Sequence, residues 1–277
     1  MIAGTSTGGI LAIGLGLGLS AASLEKFYAN GGKEIFPPWR YQYGWLSTAW
    51  RMFAPLYDHK ALERLLYQAL GDKTLGESKA RLVIPAFLAP KAEIAVLKTD
   101  HHSDFENDHR MAAWEAARAT SAAPTYLRGQ ESDDYAFLDG GIWANNPIMV
   151  AITDALSAYT IGRENIRVLS LGTGNPPFQI GLAAARRGMW NWRNIIGASI
   201  YLTTDNAQSQ AGLLVGPERI ARIEPDEPHA SIALDDWKSA AANLPGHASN
   251  KFAEHRDVIS EFFSERTEPR ERFYATR

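Results

Sequence analysis

The most constraining feature of this sequence is a glycine-rich turn, Gly4-Thr5-Ser6-Thr7-Gly8-Gly9, that runs directly into an apolar stretch, Ile10 to Leu19. The stretch is about half of the roughly 20 residues that a membrane-crossing helix needs. A secretory leader would carry basic residues before it and a cleavage site after it, and here a turn precedes it instead. It reads as a first, buried helix, and burying it requires a large core around it. A chain of 277 residues is long enough to supply that core as one α/β domain. Its 45% hydrophobic and 21% charged residues are ordinary for a globular protein and leave that reading open.

Strand-like and helix-like segments then alternate, which predicts a mostly parallel sheet covered on both faces. A second helix is expected over Ser23–Ala29, capped by Ser23. Another is expected from its cap Asp58 through Leu70 to the stop at Gly71. Leu82–Leu88 and Ile94–Leu97 read as strands, and Met111–Thr120 as an alanine-rich helix. Ala136-Phe137-Leu138 reads as a strand that delivers Asp139 into Gly140-Gly141. Asn146-Pro147 opens a helix to about Leu156, with Asn as cap and Pro in the first turn. Val168–Leu171 is a buried strand closed by Gly172-Thr173-Gly174. Helices are expected around Ile195–Gln210 and His247–Phe263, and the charged tail from Glu265 is expected to be loosely held. With neither repeats nor a low-complexity linker, a single domain over residues 1–277 is expected.

Gly4-Thr5-Ser6-Thr7-Gly8 matches the Gly-x-Ser-x-Gly elbow, a sharp strand-to-helix turn that pushes a serine hydroxyl outward. Gly4 and Gly8 would let strand and helix pass closely, and the helix would aim its first N–H groups at developing negative charge. Alone the pentapeptide is also what an ordinary turn or a phosphate-binding loop looks like. No lysine occupies the Walker position, which disfavours nucleotide hydrolysis through that loop. A serine nucleophile needs a base. Asp139 ends an apolar strand, and Gly140-Gly141 turns the chain away without covering it. An Asp before Gly-Gly equally forms a turn with its own backbone, so on residues alone the two readings balance.

Other chemistries find less support. Net charge is −3, without the basic field that gathers nucleic acid. The absence of cysteine excludes disulfides, thiolate catalysis and cysteine-bound zinc, and fits a cytoplasmic setting. None of the seven histidines lies in a strand-end motif. His101-His102, among Asp100, Asp104, Glu106 and Asp108, lacks helical ligand spacing and reads as a solvated loop. No metal or other cofactor is expected.

Four segments together resemble the patatin-like phospholipases. They are Gly4 to Gly9; Ala117-Arg118-Ala119-Thr120-Ser121-Ala122-Ala123-Pro124-Thr125-Tyr126; Asp139-Gly140-Gly141 with Asn145-Asn146-Pro147; and Ser170 to Gly174. Their order agrees with the family over about residues 1–175, leaving 176–277 as the C-terminal part of the same domain. The resemblance implies a three-layer α/β/α sandwich and hydrolysis of fatty-acyl esters of lipids. It also implies a catalytic dyad falling on Ser6 and Asp139, with a lipid substrate, transient membrane-surface contact and no nucleic acid. The family's oxyanion turn, Asp-Gly-Gly-Gly-x-Arg-Gly, is absent from the sequence, so the Thr7 N–H is the expected oxyanion donor. The expectation is that the N-terminal strand is truncated, that the native start lies upstream, and that the chain as given turns over little.

Two alternatives stand beside this reading. One is a Ser–Asp–His esterase using His229, His247 or His255. The other is an inactive or lipid-binding relative without an oxyanion hole. Trp39, Tyr41, Tyr43, Trp45, Trp50, Phe53 and Tyr57, with Arg40 and Arg51 among them, read either as rings filling the core or as a lipid-facing patch. Some bacterial members of the family are switched on by small nucleotides, and no residues here mark such a pocket.

Overall fold

The computed structural model describes residues 1–37, 55–132, 135–174, 195–265 and 267–274. The aromatic residues from Trp39 to Phe53, together with Trp190 and Trp192, lie outside them. The chain opens with β1 (Ile2–Ala3) and α1 (Thr7–Gly16). α1 starts directly after Ser6, ahead of the apolar run, and ends about three residues before the run does because Gly18 adopts φ 87. Gly18 N–H bonds Leu15 O and Leu19 N–H bonds Gly14 O. Those paired bonds form a Schellman stop, which satisfies the last carbonyls and turns the chain outward. Ser20 directly follows and caps α2 (Ala21–Ile35), its hydroxyl accepting from Ser23 N–H at 3.1 Å. Ser23 is therefore the residue being capped and not the cap.

α3 (His59–Leu70) follows expectation, with Asp58 accepting from Lys60 N–H and Leu62, Leu66 and Leu70 buried. Next come β2 (Leu82–Ala89), β3 (Glu93–Lys98), α4 (Ala113–Thr120), β4 (Gln130–Ser132) and β5 (Tyr135–Asp139). The remaining elements are the short α5 (Gly141–Ala144), α6 (Ile148–Ala158), β6 (Val168–Leu171), α7 (Ile195–Val215), β7 (Ile220–Ile223), α8 (Trp237–Glu254) and α9 (Arg256–Phe262). α6 begins just after Pro147, which takes the cap position, and Asn146 accepts from Ile148 N–H from two positions before the helix. The C-terminal helical segment starts earlier than His247, where Asp236 caps α8 by accepting from Ser239 N–H.

The α/β class holds, and the pairings are mixed. β1 is parallel to β2, β3 and β5 are antiparallel to β2, and β4 is antiparallel to β5. β6 and β7 form a separate parallel pair. β3 fills one edge of β2 over Val83–Leu88. Both remaining partners must share the other edge: β1 at Leu82–Val83 and β5 at Ala86–Ala89. Being parallel and antiparallel to β2 respectively, they run toward each other and stop on either side of Pro85.

Successive residues of β2 face opposite sides. Leu82 and Ile84 join Ile10 and Ile13 of α1, Leu66 of α3 and Ala116 of α4 in one core. α6 packs against β1 and β2, and its Ile148 and Ile152 build a second core with Ala211 and Val215 of α7. Helices thus cover both sides of the sheet.

Two expectations about polar segments are overturned. Segment 270–274 is not loosely held. Arg270 N–H bonds Lys79 O, Phe273 N–H bonds Asp100 O, and the Arg270 guanidinium pairs with Asp100 at 2.6 Å, both side chains 1% exposed. Its other donors reach Ser78 O and Gly76 O, which satisfies a charge pair that would otherwise be costly to bury. His101 likewise is buried and not in a solvated loop. It hydrogen-bonds Thr99 Oγ1 and Asp154 Oδ2, each at 2.8 Å.

Candidate active site

Ser6 occupies the gap between β1 and α1 with φ 56 and ψ −124. A non-glycine residue in such backbone space costs about 1–3 kcal/mol, and surrounding structure must hold it there. Gly4 is part of that structure, because a Cβ on it would lie 2.1 Å from Gly8 O. Gly8 behaves differently: nothing lies within 4 Å of where its Cβ would be. The close passage expected of both glycines is a property of Gly4, while Gly8 leaves open space beside the serine. Thr7 opens α1, and its carbonyl accepts from Tyr28 OH at 3.0 Å. The N–H groups of this first turn have no acceptor within the helix, and they form the positive end of its dipole.

Asp139 arrives from the opposite direction at the end of β5. Its Oδ2 accepts from Ser6 Oγ at 2.6 Å, and its Oδ1 accepts from Gly141 N–H at 2.7 Å. One carboxyl oxygen thus forms the turn with its own backbone while the other meets the serine. Gly140 is required where it stands, since a Cβ would sit 2.3 Å from Pro85 O. Asp139 is 6% exposed. Burial pushes its pKa up to about 6, although the hydrogen bonds from Ser6 and Gly141 pull the other way. A carboxylate of this kind is ionised at neutral pH and is a stronger base than an ordinary aspartate. The pair can therefore take a proton from the hydroxyl as a new bond forms at Oγ.

No histidine among the described residues hydrogen-bonds to Ser6 or Asp139. His229 and His247 stack on each other with ring centroids 4.1 Å apart, His247 accepts from Asp226 N–H, and His255 sits between α8 and α9. Neither do the described residues contain three or more His, Asp or Glu grouped to hold a metal ion. Two shallow cavities, of about 280 and 230 Å³, lie elsewhere, beside Arg163–Leu213 and His59–Trp114.

Three polar groups at the site had no role in the sequence reading. Thr5 Oγ1 donates to Ala144 O at 2.6 Å, tying the elbow to α5. Tyr28 holds the Thr7 carbonyl. Thr120 accepts from Ser6 N–H at 3.1 Å. Thr120 lies within the Ala117 to Tyr126 segment, and its one legible signal is a hydroxyl ending an alanine-rich helix.

The family described as patatin-like phospholipase matches residues 1–152, which include both Ser6 and Asp139. The cGAMP-activated phospholipase of Escherichia coli (strain TW11681) is 28% identical over 293 aligned positions, covering 95% of this chain and 81% of that protein. The cGAMP-activated phospholipase of Vibrio cholerae serotype O1 is 34% identical over 185 positions, covering 62% of this chain and 52% of that protein. Patatin-like protein 2 of Arabidopsis thaliana is 32% identical over 241 positions, covering 75% and 56%. The chain thus spans most of the first relative and little more than half of the other two.

Proposed function

Because the chain belongs to the patatin-like phospholipase family, we propose that it hydrolyses fatty-acyl esters of lipids, with Ser6 as nucleophile and Asp139 as base. The observation that carries this is the 2.6 Å hydrogen bond from Ser6 Oγ to a buried carboxylate, made at a strained turn that opens a helix. The Ser6 proton passes to Asp139 Oδ2 as Oγ attacks the ester carbonyl carbon. Negative charge gathers on the carbonyl oxygen and is met by the Thr7 N–H at the start of α1. The tetrahedral species collapses by breaking the bond to the alcohol oxygen, which leaves with the proton held by Asp139. Asp139 then takes a proton from water, the resulting attack releases the fatty acid, and the proton returns to Ser6 Oγ. No helix among the described residues is long and apolar enough to cross a membrane, and the proposal places contact with lipid at its surface.

A second element of the proposal comes from the relatives named cGAMP-activated phospholipases: turnover in this chain depends on the same nucleotide. The test is release of fatty acid from phospholipid vesicles, with and without cGAMP, alongside fluorophosphonate labelling read by peptide mass spectrometry. The expected result is label on Ser6 and its loss in Ser6→Ala. Absence of both turnover and label under either condition would sink the hydrolase reading and favour a lipid-binding relative. Equal rates with and without the nucleotide would remove the activation alone.

A further inference from the structure

We infer that Thr120 is a positioning residue that joins the nucleophile turn, the aspartate turn and the central strand through one buried hydroxyl, an inference that rests on the Ser6–Asp139 reading above. Thr120 ends α4 and is fully buried. Its Oγ1 donates to Pro85 O at 2.6 Å and accepts from Ser6 N–H at 3.1 Å. Those roles are fixed, because a proline carbonyl can only accept and a backbone N–H can only donate. Its own carbonyl accepts from Gly140 N–H at 3.4 Å. Its methyl fills the space that Gly9 leaves, where a Cβ would come within 2.6 Å of Thr120 Cγ2.

The topology explains why a hydroxyl is needed here. β1 and β5 approach each other along one edge of β2, and neither pairs with it at Pro85. The Pro85 carbonyl therefore faces a break in the sheet, and a buried carbonyl without a partner is costly. The Ser6 N–H is a second orphan, since it lies beyond the end of β1 and ahead of α1 and so belongs to neither ladder nor helix. One threonine hydroxyl satisfies both. It contacts neither Ser6 Oγ nor the Asp139 carboxylate, so its effect on chemistry is through the orientation of the Ser6 peptide.

Thr120→Val keeps the shape and the methyl while replacing the hydroxyl with a second methyl. Thr120→Ser keeps the hydroxyl and removes the methyl. In Thr120→Val, kcat should fall about 10- to 100-fold at nearly constant KM, as expected when a nucleophile is slightly misplaced. The kcat–pH midpoint near 6 set by Asp139 should remain. Thr120→Ser should retain kcat within a few-fold even though it melts at lower temperature than wild type. A purely structural Thr120 predicts kcat per folded molecule equal in both variants, and that result would overturn the inference.

Hydrogen exchange at the Ser6 amide separates this inference from the hydrolase reading. Faster exchange in Thr120→Val than in wild type or Thr120→Ser supports the bond whether or not the protein turns over ester. Unchanged exchange removes the positioning role. A wild type that neither turns over nor labels, yet shows faster Ser6 exchange in Thr120→Val, counts against the hydrolase and leaves the positioning of Ser6 intact.

Discussion

Two networks in this protein connect a hydroxyl to a carboxylate, and they differ in what surrounds them. At the elbow, Ser6 donates directly to Asp139, the serine is half-buried in strained backbone, and no cation among the described residues pairs with the acid. On the far side of the sheet, Thr99, His101 and Asp154 line up in the order of a catalytic triad, with both contacts at 2.8 Å. Thr99 is fully buried, however, and its hydroxyl also accepts from Leu82 N–H. Asp154 pairs with Lys98 at 2.5 Å. Its burial alone would raise its pKa, but hydrogen bonds from His101 and Lys98, with their charges, hold it below the usual carboxylate value. A row of triad-like groups is thus not a reactive site when its hydroxyl is sealed and its acid neutralised. Reactivity needs an accessible oxygen and a carboxylate whose charge is left uncompensated.

The largest expected effect separates the two networks by rate. Ser6→Ala and Asp139→Asn should each lower ester hydrolysis by about 10³- to 10⁴-fold. His101→Ala should leave the rate per folded molecule unchanged; comparable rate losses at both sites would erase the distinction. The next effect is on stability. Asp154→Ala strands Lys98 and His101 without their acid and should cost about 3–5 kcal/mol in urea unfolding.

Asp139→Asn sharpens the contrast by moving stability the other way. The Asp139 pKa rises from 3.8 to about 6 on folding, so the native state holds its proton more tightly than the unfolded chain. Stability is therefore lost as pH rises from about 4 to 6, and the deficit persists above that. At pH 7 Asp139→Asn should unfold later than wild type by up to about 3 kcal/mol, with the gain vanishing below about pH 4. Asp154 has the opposite sign. With its folded pKa lowered, its contribution is full above 3.8 and is lost as pH falls through that lowered value. Unfolding curves of both variants from pH 3 to 8 should cross in this sense, and parallel curves would refute the assignment.

The smallest effect is the pH profile of wild-type kcat/KM. It should be flat above about 6 and fall tenfold per unit below, following the proton on Asp139. A midpoint near 4 would mean that the carboxylate is not desolvated during turnover.

Much of the site was legible because its signals are local. Ser6 is flanked by Gly4, Asp139 ends an apolar strand before two glycines, and the caps of α3 and the limits of β6 follow from neighbouring residues. The end of α1 and the cap of α2 moved because one left-handed glycine, Gly18, turns the chain between them. His101 and Arg270 were misjudged for a different reason. A polar side chain in a polar stretch looks solvated unless its partner is known, and the partners lie 53 and 170 residues away along the chain.

What the sequence by itself determined is therefore most of the elements and the two residues of the candidate site: a glycine-bounded serine before an apolar helix, and an aspartate delivered by a short strand. What only the tertiary structure decided is how those ends meet. β1 and β5 approach from opposite directions on one edge of β2, and Ser6 and Asp139 close the gap across 133 positions of sequence with Thr120 bridging beneath them. Periodicity and capping act over a few residues and are written in the chain. Strand direction and the partners of buried polar groups depend on contacts between distant segments, and no local pattern records them.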